Sequence, residues 1–428
     1  MGNSLINTGI AFRELKAMTT SRSGATAIVF ALLLPVLIAG VALAVDVGVW
    51  RHNARKLQTR ADAAAMAGAY EWFVNNSYDS INAASLGLLH DNGFDLNAAV
   101  VEVYYPPLTQ EYSTFEAVEV RLQQPQPRFF SGLFLDKDPI QNTLSIAVVR
   151  RPTEPLCILA LDPVEKATLD LNGGAALHVD KCGVQSNSYH VDGLQVSGTS
   201  DMEAGCVYSA GGIYGPEKIT LTKCASIEEN WAPTPDPYRD VTIPEGIDVM
   251  ACKTPKQMGK KRLYLESGRY CKDVTGFDDT ELEAGGTFFF DGAKLEMKSE
   301  SSFLHGSDVT MFFLNGGSIG LPTGGLMDVS AKSYGDYPGI LMFSDPVTTP
   351  STLDVKLTGN ADSILEGLLY FPNQLVEYAG GSSSLSECTH LVARRIVLTG
   401  NSAFTNQNCS GLGMREISAP AGVILASN

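Results

Sequence analysis

Basic residues are scarce in this chain, and the signatures of several common chemistries are missing. Lys and Arg number 31 against 47 Asp and Glu, for a formal net charge of −16. Such a chain repels nucleic acid and anionic lipid, and no nucleic-acid signature is found in it. Acidic charge of this kind commonly keeps an exported domain soluble. There is no H-E-x-x-H pair and no Walker loop, which removes the usual zinc-peptidase and nucleotide-hydrolase readings. There is no C-x-x-C pair either, which argues against zinc ribbons and thioredoxin-like redox chemistry. Cysteine is absent from the first 156 residues, and charge is absent from residues 25 to 45.

That uncharged stretch, ATAIVFALLLPVLIAGVALAV, is one apolar run near the N-terminus of an otherwise polar chain. At about 1.5 Å per residue it spans roughly 30 Å, the hydrocarbon thickness of a bilayer. It exceeds the length of a signal-peptide core and continues without a break signal into a helical stretch, Val47 to Tyr70. A retained anchor is therefore expected, although Ala42–Ala44 offers an Ala-x-Ala-like cleavage site. Pro35 should bend the span or be tolerated within it. Basic residues lie on both sides, Arg13, Lys16 and Arg22 before and Arg51, Arg55, Lys56 and Arg60 after. Taken alone they would place the N-terminus outside, but long domains translocate despite such charges.

Cysteine is more informative about the side. Cys157, Cys182, Cys206, Cys224, Cys252, Cys271, Cys388 and Cys409 all lie downstream of the span. An even number with similar gaps between successive pairs suits four sequential disulfides in an oxidising compartment, among about a hundred possible pairings. Residues 1–62 carry 7 Lys and Arg against Glu14, Asp46 and Asp62, about +4, which leaves about −20 for the remainder.

Five segments are expected: a cytoplasmic segment 1–24, a transmembrane helix 25–45, a continuing helix 46–74, a small α+β module 75–151, and a disulfide-containing mainly-β domain 152–428. In the continuing helix, Trp50, Leu57, Ala61, Ala64, Ala65 and Gly68 recur at three- and four-residue steps among polar residues. That is an amphipathic helix with a small-residue face, able to meet another helix closely or to pack on the chain's own next module. In the module, 100–104, 117–122 and 144–149 read as strands, and Arg128–Phe134 as a short apolar stretch. In the last domain, Leu169-Asp170-Leu171-Asn172-Gly173 is echoed from Leu194, Ile219, Val355 and Ile396. Each copy is a short alternating strand stopped by corner residues such as Gly or Asn. One such strand cannot bury its apolar face alone, and stacked equivalents can. A parallel β-helix is therefore favoured over a sandwich. Regular spacing is lost between about 226 and 350, where Trp231–Pro237 reads as an extended loop leaving the stack.

Candidate chemistry is sparse. Asp278-Asp279 would suit a glycosidase acid pair, but no Arg/His set accompanies it in the sequence. His178 and His190 could meet across a coil as metal ligands, and each reads more easily as a surface residue. Gly316-Gly317 and Gly380-Gly381 read as corners rather than phosphate loops. Ile158–Pro163 lacks the D-x-S-x-S hydroxyls of an adhesion-type metal site. No catalytic residue, metal or cofactor is expected.

Arg22–Pro35, Ala44-Val45-Asp46-Val47-Gly48 and Leu57–Ala69 together resemble the N-terminal segment of the TadE/TadG-like proteins of Flp (tight-adherence) pilus assembly. The likeness is specific over 22–70 and only broad beyond. It implies a single-pass bacterial inner-membrane anchor with its C-terminal bulk in the periplasm, and pilus-machinery proteins or pilin-like subunits as partners. Pilin-like members of the superfamily carry Glu five residues after the glycine; counted from Gly24 that place is Val29. This chain therefore resembles the larger TadG-like type, an accessory component rather than a polymerised pilin. The small face, Ala61, Ala65 and Gly68, with Asp46 at the membrane exit, is the expected partner contact. The competing expectations are a polysaccharide-binding or polysaccharide-cleaving β-helix and a glycan-binding adhesin. The first would show carboxylates and basic residues clustered on one solenoid face.

Overall fold

The computed structural model describes residues 22–75, 77–133, 135–152, 154–275, 278–297, 299–321, 324–347, 354–357, 363–379, 388–399, 403–405, 409 and 411–426. The basic residues Arg13 and Lys16, Phe134 and the corners at Gly359, Gly380-Gly381 and Gly400 lie outside them. The chain divides into two compact units, 1–150 with 423–428, and 151–422.

In the first unit, helix α1 (Arg22–Asn75) runs unbroken through the apolar run, Asp46 and the small-residue stretch, about 80 Å of helix. Its first part is long and apolar enough to cross a membrane and packs on nothing in the unit. From Leu57 onward the same helix is buried against helix α2 (Tyr78–Asp91) and a sheet of β1 (Val100–Tyr104), β2 (Ala117–Pro125) and β3 (Ile140–Arg150). The strands pair antiparallel, and Gly422–Leu425 adds a fourth strand beside β3. Period-two alternation sorts β2 between two cores. Val118, Val120 and Leu122 face the helices, while Ala117 packs with Ile146 and Val148 on the other side. Glu119, fully buried on β2, is satisfied by the Thr109 N–H (2.9 Å) and the Arg121 guanidinium (2.6 Å).

The second unit is a parallel β-solenoid. Nine strands stack in its central ladder, in the order Asp201–Ser209, Ala176–Ser186, Leu156–Ala160, Thr389–Thr399, Ile364–Ala379, Ile340–Ser344, Phe303–Leu314, Thr287–Asp291 and Gly268–Tyr270. The chain thus enters the stack in its interior. Its first three coils build toward one end. The later coils begin at the other end and return, so that Leu391–Ala393 pairs with Ile158–Ala160.

The 25-residue echo is partly real. Val355, Ile396, Leu169 and Leu194 are register partners along one ladder, with Val376 between the first two. The copy at Ile219 is not equivalent: it pairs with Met202, on a different ladder, while the partner of Leu194 is Ile213. The corner after the first copies is left-handed, with Gly173 at φ 70° and Gly198 at φ 68°, a conformation glycine reaches without strain. The stack also continues through the region where regular spacing fades. Gly268, Phe288 and Met311 are successive register partners, and corners of unequal length hide the period.

The extended segment from Trp231 to Cys252 is a strap lying across the coils. Trp231 packs on Tyr208 (ring centroids 5.4 Å). The Thr234 N–H donates to Asn187 Oδ1 (2.9 Å) and its hydroxyl to Gln185 Oε1 (2.7 Å), and Asn187 Nδ2 donates back to the Thr234 carbonyl (2.8 Å). Asp236 accepts from the Tyr370 hydroxyl (2.7 Å), Thr242 from Tyr337 (2.9 Å), and Asp248 from Arg269 (2.5 Å). The outward row Phe289, Phe312, Phe343 and Tyr370 is buried, with successive ring centroids 5.2, 5.6 and 4.7 Å apart, the middle pair tilted and the outer two stacked. Tyr238 of the strap lies against Tyr370. Side chains of this size each contribute about 1.5–3 kcal/mol when removed from water. These strands therefore carry apolar residues on both faces. Burial, and then the Asp236 carboxylate, hold the Tyr370 phenol well above its ordinary pKa. All four disulfides join sequential cysteines: Cys157–Cys182, Cys206–Cys224, Cys252–Cys271 and Cys388–Cys409.

Candidate membrane-proximal site

Asp46 is the first charge after the apolar run, and it is fully buried. Its carboxylate accepts hydrogen bonds from the backbone N–H groups of Phe129 (3.3 Å), Phe130 (3.0 Å) and Ser131 (2.6 Å). Ser131 opens the short 3₁₀ turn Ser131–Leu133, so the acid satisfies donors that a helix start leaves without partners. Burial by itself would raise the pKa of Asp46; hydrogen bonding by Ser131, Phe130 and Phe129 outweighs it and leaves the group below its ordinary value. One turn farther along α1 the Trp50 indole donates to the Pro127 carbonyl (2.9 Å), and Asn53 donates to Gln126 (2.8 Å). Segment 126–131 is thus fastened along the turn of α1 that leaves the apolar run. Arg128 pairs with Asp138 and donates to the Leu135 carbonyl, closing the loop. Phe129, Phe130, Leu133 and Leu135 remain exposed at its tip.

Asp46 therefore serves the fold of its own unit. The small face does the same. Ala61 and Ala65 have no exposed surface and sit in the core with Ile81, Leu89 and Val118. A Cβ on Gly68 would lie 2.5 Å from Ser85 Oγ and 3.1 Å from Ile81 Cγ2 and Val118 Cγ1. Within the first unit, α2 and the sheet pack against the face of Ala61, Ala65 and Gly68, the residues expected to meet a partner.

On the solenoid, Asp278-Asp279 does acquire basic neighbours, supplied by adjacent coils rather than by sequence. Lys261 meets Asp278 (2.5 Å), Arg262 meets Asp279 (3.2 Å) and Glu281 (2.5 Å), and His305 lies 3.1 Å from Asp279. Register puts these groups side by side: Arg262 is opposite Asp279, and Glu281 is opposite His305. All three carboxylates are engaged in these ion pairs. His178 faces Glu203 (3.3 Å), and the His190 Nδ1 accepts from the Asp192 N–H (3.0 Å); among the described residues neither belongs to a group of three metal-type ligands. The group that does form, Cys388, His390 and Cys409, has its two sulfurs joined at 2.00 Å, so no thiolate is present to bind a cation. His390 is buried, its Nδ1 has no partner, and burial pushes it down to about 4. A cavity of ≈ 290 Å³ beside it mixes Lys181 and Arg415 with Glu416. Gly316–Gly320 spells G-x-S-x-G, but Ser318 is buried at the start of a strand, with no following helix to expose a nucleophile. None of the four disulfide pairs leaves a free thiol.

Of these features, sequence showed the membrane run and Asp46. It did not show that Asp46 binds a loop more than eighty residues away, and it read Trp231–Pro237 as leaving the stack where that segment is fastened across the coils. The apolar stretch after Arg128 was the one available signal for the loop.

Residues 24–71 match the family model for Flp pilus-assembly TadE/G-like proteins. No curated protein and no solved structure matches the chain.

Proposed function

We propose that this chain, TadE/G-like over α1, is a non-enzymatic accessory protein of Flp pilus assembly or anchoring, held in the bacterial inner membrane with its solenoid in the periplasm. The observation that carries the reading is a coincidence in place. The family match covers the apolar first part of α1 and the stretch that docks it onto the first unit. Four disulfides on the C-terminal side of the span support an oxidising compartment there. The self-paired carboxylates around Arg262 favour a structural surface over an acid–base site, since a general acid needs a carboxyl free to gain and lose a proton. The helix tethers the protein, and the rigid solenoid offers a surface to pilus-machinery proteins or pilin-like subunits.

The test is crosslinking and pulldown of the full-length protein from native membranes, with mass spectrometry also reading its N-terminal peptides. Recovery of pilus-machinery proteins with an intact Gly24–Ala25 bond is the expected result. Release into the periplasm with a new N-terminus near residue 45, and no pilus partner, overturns the reading.

A further inference from the structure

We propose that Phe129, Phe130, Leu133 and Leu135 form a second membrane contact, a foot that lies in the boundary between lipid headgroups and acyl chains beside α1. The inference rests on the reading that residues 25–45 of α1 span the bilayer, and it adds a site that neither the apolar run nor the family match contains.

The first observation is depth. Three successive contacts tie the incoming limb of the loop to α1, and they run toward the membrane in order: Gln126 at Asn53, Pro127 at Trp50, and Phe129 to Ser131 at Asp46. Along a helix rising about 1.5 Å per residue, these points stand roughly 12, 7 and 2 Å beyond Val45, the last residue of the apolar run. The limb descends α1, and the tip arrives at the level where hydrocarbon ends. Apolar segments at membrane surfaces bury about 5–10 Å into this boundary.

Composition is the second observation. At the tip Phe129 is 63 % exposed, Phe130 45 %, Leu133 82 % and Leu135 40 %. Four large apolar side chains within seven residues, all turned away from their own core, form a patch of the kind that marks an interaction surface. Its flank carries Asp136, Lys137 and Asp138, with Asp138 held by Arg128, so the apolar tip rather than charge carries the contact.

The third observation concerns the backbone. A loop can enter an apolar boundary only if its N–H groups have partners. Here the Asp46 carboxylate takes the donors of Phe129, Phe130 and Ser131, and they in turn satisfy the acid. An acid at a membrane exit would otherwise face headgroups. Turned inward, it permits the tip to be apolar outside and satisfied inside. The occupant is the bilayer that holds α1, because the loop is fastened to that helix at Asp46, the residue next to the end of its apolar run.

The experiment places a ketone-bearing phenylalanine analogue, coupled to a nitroxide, at Val36, Phe130 or Tyr70 of the full-length protein, which leaves the disulfides intact. Each protein is reconstituted in nanodiscs of phosphatidylethanolamine and phosphatidylglycerol, and collisions with oxygen and with a water-soluble nickel chelate are measured. Support is a several-fold excess of oxygen over nickel collisions at both 36 and 130, reversed at the exposed Tyr70 position. Lipid exposure at 36 with nickel exposure at 130 overturns the foot and leaves the span intact. Nickel exposure at 36 overturns the span and the foot together. Shielding of 130 from both reagents overturns the lipid assignment and shows a protein contact there instead.

Discussion

Replacing Gly68 with leucine separates two accounts of α1 that would otherwise look alike. If the small face serves another protein, Gly68→Leu abolishes the complex and leaves the monomer stable. The packing of the first unit leads to the opposite expectation. The first added carbon already stands 2.5 Å from Ser85 Oγ, a distance real Cβ contacts do not show, and Ile81 and Val118 close the other sides. Overfilling a packed core costs about 1–3 kcal/mol. Moving Ser85 also breaks its buried hydrogen bond to the Ala64 carbonyl (3.0 Å), worth about 0.5–1.5 kcal/mol. Relief comes only from glycine's poor helix propensity, roughly 1 kcal/mol. The net cost is then on the order of 1–3 kcal/mol, enough to lower protein level in membranes. The assay is protease resistance of the first unit together with steady-state level. Gly68→Ala, Ser85→Gly and the pair complete a double-mutant cycle: Gly68→Ala should cost less in the Ser85→Gly background than in the native one. Normal level and protease resistance in Gly68→Leu, with loss of a crosslinked partner, would refute the intramolecular account.

Asp46→Ala should free the backbone donors of Phe129 to Ser131; hydrogen exchange at those amides rises on the order of tenfold, and unchanged protection contradicts the assigned role. His390 makes the solenoid sensitive to acid. Its folded value of about 4 lies below the ordinary 6.5, so the unfolded chain binds a proton that the folded one refuses. The contribution is complete above pH 6.5 and is lost as pH falls toward 4, about 1.4 kcal/mol per unit and roughly 3 kcal/mol in all. Urea midpoints at pH 7 and pH 4.5 should therefore fall further for the native protein than for His390→Leu; parallel shifts count against the assignment. The Cys157–Cys182 link closes a separation of 25 residues, so replacing both with serine should cost roughly 2–4 kcal/mol. An unaltered melting temperature would show that the coils at the entry to the stack need no clamp.

Legibility in the sequence followed the range of the interaction. The apolar run is readable because transfer into lipid sums residue by residue along one helix. β1, β2 and β3 are readable because alternation is local, although β2 and β3 extend beyond the expected limits to Pro125 and back to Ile140. Where corners varied, the period misled: Ile219 follows Leu194 by the same interval that separates Leu194 from Leu169, yet a shorter coil places it on another ladder. Asp279 seemed to lack basic company because Arg262 and His305 come from neighbouring coils.

By itself, the sequence determined an apolar helix long enough to cross a bilayer, an amphipathic continuation, a disulfide-bearing β domain built from stacked short strands, and a cysteine spacing consistent with the pairing observed. These depend on composition and on periods of a few residues, which local physics reads directly. The tertiary structure alone decided that the chain enters its solenoid mid-stack, that a strap covers the outward aromatic row, that α1 spends its small face on its own unit, and that Asp46 holds the loop at Phe129, Phe130 and Ser131 at the end of the apolar run. Each of these joins residues far apart in the chain through register or a single hydrogen-bonded group, and no local pattern encodes which distant partner fills the space.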